Sequence, residues 1–303
     1  MLNKIKIWLL RHLYRYQNHA AWKGHYQSDQ AQRLQMSGNN FDLMLFASDD
    51  GAERPLIVFF HGGGWVIGDT QSHAPFCQQL SVASGCSVVS VDYRLAPEFR
   101  FPAAQEDCLA ATLWCGAHST KLGPNNGSLV LAGDSAGGNL AACTALALPR
   151  DPGPTVLGQV LIYPAVDHYT AGYSSYQKYA TGHVLTFKLM QWFWDSYLGG
   201  LDSADPTAER AMPQRSDDLA VSPPTFLCTA EFDPLRDEGK IFAQKLAAAG
   251  VAVASHHFDN SAHGFACSEG PTVHFTEFMN SLTQWLSTLQ ANPTERELHA
   301  RSN

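Results

Sequence analysis

The chain has 303 residues, 45% of them hydrophobic and 16% charged, with a formal net charge of −8. That balance excludes a disordered chain and argues against nucleic-acid binding, which needs a basic surface to meet phosphate. No run approaches the roughly 18 apolar residues of a membrane span, and the length suits one large α/β domain over residues 1–303, or two small ones.

Residues 1–28 hold five bases (Lys4, Lys6, Arg11, Arg15, Lys23) and no acid, so the whole-chain −8 divides into +5 here and −13 elsewhere. Leu2, Ile5, Leu9, Leu13 and Tyr16 recur at helical spacing. A signal peptide, a helix lying on an anionic membrane and a lid helix packed on the body would each suit this pattern. The apolar run Ile7 to Leu10 is shorter than the ~7–15-residue core of a signal peptide. Burial of the stripe is the expectation, because most such stripes face a core.

Phe41 to Ala47 and Leu56 to Phe60 read as strands around a turn at 49–52. The second strand runs into His61-Gly62-Gly63-Gly64-Trp65, where glycine lets backbone N–H groups come close to a bound group. Cys86 to Val91 is a third strand. Asp92 to Glu98 ends it, and Pro102 opens a helix that runs to about Gly116. Arg94, Glu98 and Asp107 are read as ion pairs bracing that loop.

Leu129 to Gly138 begins as an apolar strand, passes through Gly133-Asp134-Ser135-Ala136-Gly137 and gives way to the Ala- and Leu-rich helix 139–148. A serine between two glycines at a strand-to-helix junction is a nucleophile elbow. Side chains at 133 and 137 would collide with the packed turn, and the N–H of Ala136 faces the place where an oxyanion would form. A fifth strand, Gln159 to Tyr163, stops at Pro164. The Tyr-, Ser- and Gly-rich stretch 167–213 then carries an aromatic helix over 186–198. Placed over the carboxyl ends of the strands, it is expected to form a cap. Trp192, Phe193 and Trp194, with Trp65, are candidate substrate-binding walls.

Pro224 to Ala230 is the next strand, followed by Asp233 and a helix over 236–249 that Gly250 caps. Val251 to Phe258 is the last strand, then come His263, a helix over 272–289 and a polar tail expected to fray. Strands alternating with helices imply a mostly parallel sheet of about eight strands with helices on both faces. Chemistry in such sheets collects at the carboxyl ends of the strands. Gly63, Gly64, Ser135, Asp233 and His263 all fall in loops that follow strands. Among the chain's 13 histidines, His263 is the candidate base: it sits just past the end of the last strand with a glycine behind it. Glu231 and Asp237 are the rivals of Asp233 for the carboxylate that orients it. The order Ser135, Asp233, His263 is that of an α/β hydrolase.

The segments HGGGW (61–65), DYRLAPE (92–98), GDSAGGN (133–139), EFDPLRDEG (231–239) and HGF (263–265) together resemble the bacterial hormone-sensitive-lipase family of α/β-hydrolase esterases. The resemblance covers roughly residues 56–265. It implies Ser135, Asp233 and His263 as a catalytic triad, and the N–H groups of Gly63, Gly64 and Ala136 as an oxyanion hole. It also implies a cap built from about 1–40 and 167–213, and homodimerisation through an edge strand. The activity it implies is hydrolysis of short- to medium-chain acyl esters, with no metal or other cofactor. Amidase, lactonase or deacetylase activity on the same triad is the near alternative, and a non-catalytic ligand-binding protein the more distant one. The seven cysteines are scattered without a metal-ligand spacing, which suits reduced thiols in the cytoplasm.

Overall fold

The computed structural model describes residues 2–26, 31–36, 41–149 and 153–290; the polar tail 291–303 lies outside them. Eight strands build one sheet: β1 (Ala31–Gln35), β2 (Asp42–Phe46), β3 (Leu56–Phe60), β4 (Val88–Val91), β5 (Leu129–Asp134), β6 (Val156–Ile162), β7 (Thr225–Phe232) and β8 (Val253–Ala262). Their order is β1-β2-β4-β3-β5-β6-β7-β8. The pairs β1/β2 and β2/β4 are antiparallel and the other five pairings are parallel.

The central strands are apolar on both sides because both sides are covered. Leu56, Val58, Phe60, Leu129 and Leu131 pack into one core with α3 (Ala103–Ala117), α4 (Ala136–Ala147) and α8 (Arg236–Ala248). Ile57, Phe59, Val130 and Ala132 point the other way, into a second core with α2 (Ala74–Ser84) and α9 (Val273–Gln290). The remaining helices are α1 (Leu2–Ala21) and three in the β6–β7 connection: α5 (Ser174–Lys178), α6 (Phe187–Leu198) and α7 (Pro206–Glu209). Thr186 caps α6 by accepting from the Leu189 N–H at 3.2 Å, and Gly199 ends the helix in the left-handed conformation.

Three features depart from the sequence expectation. First, Ala31–Gln35, inside the segment 1–40 assigned to a cap, is the edge strand β1. Its Ala-Gln-Arg-Leu-Gln has no clear alternation, and β2 is what recruits it. Second, β8 runs past Phe258 to Ala262. The ladder to β7 survives the polar Asp259-Asn260-Ser261 through a register shift at 230/232, where Asn260 takes φ 56° and donates its N–H to Glu231 Oε2 at 2.8 Å.

Third, the stripe of α1 is not buried. Ile5, Leu9, Leu13 and Tyr16 are exposed, and the face that meets the body carries Ile7, Arg11, Tyr14, Asn18 and the ring of Trp22 just beyond the helix. Polar anchors outweigh the apolar stripe. Arg11 donates to the carbonyls of Val66 (2.8 Å) and Ala96 (3.1 Å) and pairs with Glu98, while Trp22 Nε1 donates to Cys267 O at 3.0 Å. Arg94 meanwhile grips Asp107 through Nε and Nη2 at 2.8 Å, so the loop 92–98 is braced from both sides.

Candidate active site

Ser135 stands at the junction of β5 and α4 with φ 55° and ψ −117°, a conformation an L-residue adopts only when its surroundings enforce it. They do. Its N–H donates to Ile162 O at 2.8 Å, and its carbonyl accepts from Asn139 N at 3.1 Å and Ala165 N at 3.2 Å. A Cβ on Gly133 would overlap the backbone of Gly137, and one on Gly137 would overlap the carbonyl oxygen of Phe60. The two glycines are therefore set by close approach of β3, β5 and α4. The hydroxyl is lifted off the sheet, and the N–H of Ala136 is the first of α4, where helix amides lack an intrahelical acceptor.

His263 follows β8 directly. Its Nε2 lies 2.9 Å from Ser135 Oγ, and its Nδ1 lies 2.7 Å from Asp233 Oδ2. Asp233 is completely buried, and its other oxygen accepts from Leu235 N at 2.8 Å, so its carboxylate cannot rotate away from the imidazole. The rivals are engaged elsewhere. Glu231 caps Asn260 as described, and Asp237 accepts from Ser175 N at 2.9 Å and pairs with Arg236 at 2.7 Å. His256 stacks on Phe226 at 4.7 Å, and His257 bonds Thr229 Oγ1 at 2.9 Å; both are structural.

The glycine loop after β3 approaches from the opposite side. Gly62 N donates to Asp134 Oδ1 at 2.7 Å, tying the loop to the residue before Ser135. Gly63 (φ 115°) and Gly64 (φ 59°) are both in backbone regions that L side chains avoid. Below the loop His61 is fully buried, stacked on Tyr93 at 4.2 Å, with Nδ1 2.8 Å from Gly62 O and Nε2 without a hydrogen-bond partner among the described residues. Burial, and next the neighbouring His73, push its imidazole down to about 4, so the ring is neutral and Nδ1 is the donor.

Two cavities flank the Ser135 hydroxyl. One, of about 150 Å³, is lined by Gly63, Gly64, Ser135, His263 and the apolar residues Ile67, Val184, Leu185, Leu189 and Phe193, with Tyr14 reaching in from α1. The other, of about 20 Å³, lies between Ala136, Trp65, Met190, Trp194 and Leu235, with Phe193 again in its wall. Phe193, Trp194 and Trp65 thus reach the site as expected. Trp192 does not: it lines a separate groove of about 450 Å³ against Lys6, Ile7 and Leu10 of α1. Successive helix residues point about 100° apart, so three in a row cannot share one wall. The sequence also passed over Tyr14, whose signal was its i+7 spacing from Ile7 and i−8 spacing from Trp22 on the buried face.

The β6–β7 connection is laced to the loop that carries Asp233. Ser175 Oγ donates to Pro234 O, and Tyr176 Oη donates to Glu238 Oε2. Glu238 Oε1 accepts from Val166 N at 2.6 Å and Asp167 N at 3.2 Å. Complete burial pushes the Glu238 carboxyl well up, and its two oxygens are the hub of this network.

A strained serine, an imidazole and a locked carboxylate in line at the carboxyl ends of a mostly parallel sheet define an α/β hydrolase. The comparisons agree. A family model for the alpha/beta hydrolase fold matches residues 57–267. Esterase LipI of Mycobacterium tuberculosis is 40% identical over 231 residues, covering 76% of this chain and 72% of its own. An arylesterase of Saccharolobus solfataricus is 31% identical over 82% of this chain and 81% of its own. The hyperthermophilic esterase from the archaeon Pyrobaculum calidifontis superposes with a TM-score of 0.86 at 34% identity, covering 94% of this chain and 92% of that one. The chain belongs to the α/β-hydrolase family, in its hormone-sensitive-lipase-type esterase group.

Proposed function

We propose that Ser135, His263 and Asp233 are nucleophile, general base and orienting carboxylate of a carboxylesterase acting on short- to medium-chain acyl esters. The protein is a carboxylic ester hydrolase, and one observation supports these residue roles above the rest: Asp233, His263 and Ser135 are joined by bonds of 2.7 and 2.9 Å. Ser135 Oγ attacks the ester carbonyl while His263 Nε2 takes its proton. Asp233 holds Nδ1–H and stabilises the imidazolium. The N–H groups of Gly63, Gly64 and Ala136 receive the charge that develops on the carbonyl oxygen. Collapse expels the alcohol with the proton from Nε2 and leaves an acyl-serine. Water, deprotonated by the same imidazole, then releases the acid.

The cap is α1 together with the connection 167–213, whose Val184, Leu185, Leu189 and Phe193 roof the larger cavity. Its volume of about 150 Å³ is below the ~300 Å³ at which pockets for drug-sized ligands begin, which favours small esters. The seven cysteines are all unpaired and buried, which accords with a reducing cytoplasm. β8, an edge of the sheet, is the surface through which a homodimer would pair.

Turnover of p-nitrophenyl acetate and butyrate by Ser135→Ala tests the assignment. A fall of roughly 10⁴-fold or more is expected, and a variant as active as the parent would end it. A matched panel of esters, amides and lactones separates esterase from the other acyl hydrolases.

A further inference from the structure

The exposed face of α1 has no role in the chemistry above. Ile5, Trp8, Leu9, Leu13 and Tyr16 are 51 to 72% exposed, and by helical geometry they fan over the side opposite Ile7, Tyr14 and Asn18. Five large apolar side chains turned to solvent from one helix are unusual in a water-facing element. The charges around them have one sign. The first 28 residues contain no acid. Arg11 and Arg15 are neutralised by Glu98 and Asp69, whereas Lys6 and Lys23 are exposed and have no carboxylate partner among the described residues. On the helical wheel Lys6 falls between Leu13 and Leu10, at the border of the apolar face.

A second copy of the chain fits this surface poorly. Apart from Leu10, also on α1 and 43% exposed, the other large exposed apolar residues among those described (Val82, Phe99, Leu113, Val184, Leu201, Val273) are on different elements, so the body offers no matching patch. Pairing α1 with α1 would set two acid-free faces against each other. A bilayer answers both properties, since acyl chains take the apolar stripe and anionic headgroups take the lysines. Aromatic side chains such as Trp8 and Tyr16 favour that boundary.

We propose that α1 is an interfacial helix that docks the protein, without spanning, on an anionic lipid surface. Tyr14 on its inner face lines the cavity beside Ser135, so docking sets that cavity about one helix diameter, ~10 Å, from the membrane. The docking is independent of the ester chemistry and is measured on the Ser135→Ala protein.

The experiment is co-sedimentation with vesicles of phosphatidylcholine alone and with about one-third phosphatidylglycerol. Binding to the anionic vesicles is expected to be at least about tenfold tighter, and to weaken as salt is raised to roughly 0.5 M. Ile5→Ser/Leu9→Ser/Leu13→Ser should lose at least about tenfold in binding. In the Ser135-containing protein the same triple variant should keep p-nitrophenyl butyrate turnover. Lys6→Glu/Lys23→Glu keeps the apolar stripe and decides the charge contribution even if the triple variant does not fold. Failure of the parent to bind anionic vesicles, or binding by both variants as tight as the parent's, overturns the proposal. So does a dimer that the triple variant dissociates while vesicles stay unbound.

Discussion

Gly64 of the loop after β3 and Phe193 of α6 meet so closely that a Cβ on the glycine would enter the phenyl ring. One contact thus joins the floor of the site to its roof. The backbone that offers N–H groups to substrate is pressed against the residue that divides the two cavities.

Gly64→Ala is expected to cost activity twice over, through the ring and through a φ of 59° that alanine resists. Displacing one oxyanion donor costs about 10²–10³-fold in kcat, and a loss of that order in p-nitrophenyl butyrate turnover is predicted. Adding Phe193→Ala should restore part of it by removing the steric component.

Phe193→Ala alone merges the cavities on either side of Ser135. With a p-nitrophenyl ester series, the best acyl chain should lengthen by about two carbons or more, since each methylene accommodated is worth about 1–3 kcal/mol. An unchanged chain-length profile would show that Phe193 does not set acyl length. A stability loss of about 3 kcal/mol, read by urea denaturation, accompanies the change.

His61 predicts a dependence of stability on acid. Its imidazole is lowered from 6.5 to about 4, so between those values the unfolded chain binds the extra proton and the folded one does not. The stabilisation is complete above pH 6.5 and is lost as pH falls towards 4, amounting to about 3 kcal/mol at full titration. Chemical denaturation at pH 7 and pH 4.5 should show a smaller pH-dependent loss in His61→Asn, whose amide can still donate to Gly62 O. Equal losses in both proteins would refute the argument.

Glu238 works in the opposite sense. Burial raises its carboxyl, so the folded state holds a proton that the unfolded chain has released, and stability drains away as pH rises through the folded value. Glu238→Gln preserves an acceptor for Val166 and Asp167 and removes the charge. Melting temperatures of the two proteins should lie closest below about pH 4.5, and the parent should fall progressively below the variant as pH is raised above it. Parallel curves would place the proton elsewhere.

Much of the site was legible in the chain because its constraints are local. Gly133 and Gly137 around Ser135, the glycine run 62–64, and His263 at a strand end each announce a backbone that must turn or come close. The central strands were legible for a related reason, since burial on both faces demands unbroken apolar runs such as Leu56–Phe60. What the order of residues by itself determined was therefore the set of reactive groups and the parallel sheet that would gather them. Tertiary structure alone decided which side of a helix faces inward. The apolar stripe of α1 promised burial, yet Arg11 and Trp22 found carbonyl acceptors on the body and turned the stripe to solvent. Trp192 was separated from Phe193 and Trp194 by the 100° step of α6, and the partners that their oxygens found set Glu231 and Asp237 apart from Asp233. Hydrophobic periodicity records that a face exists, but the facing depends on polar contacts made by residues far apart in the chain.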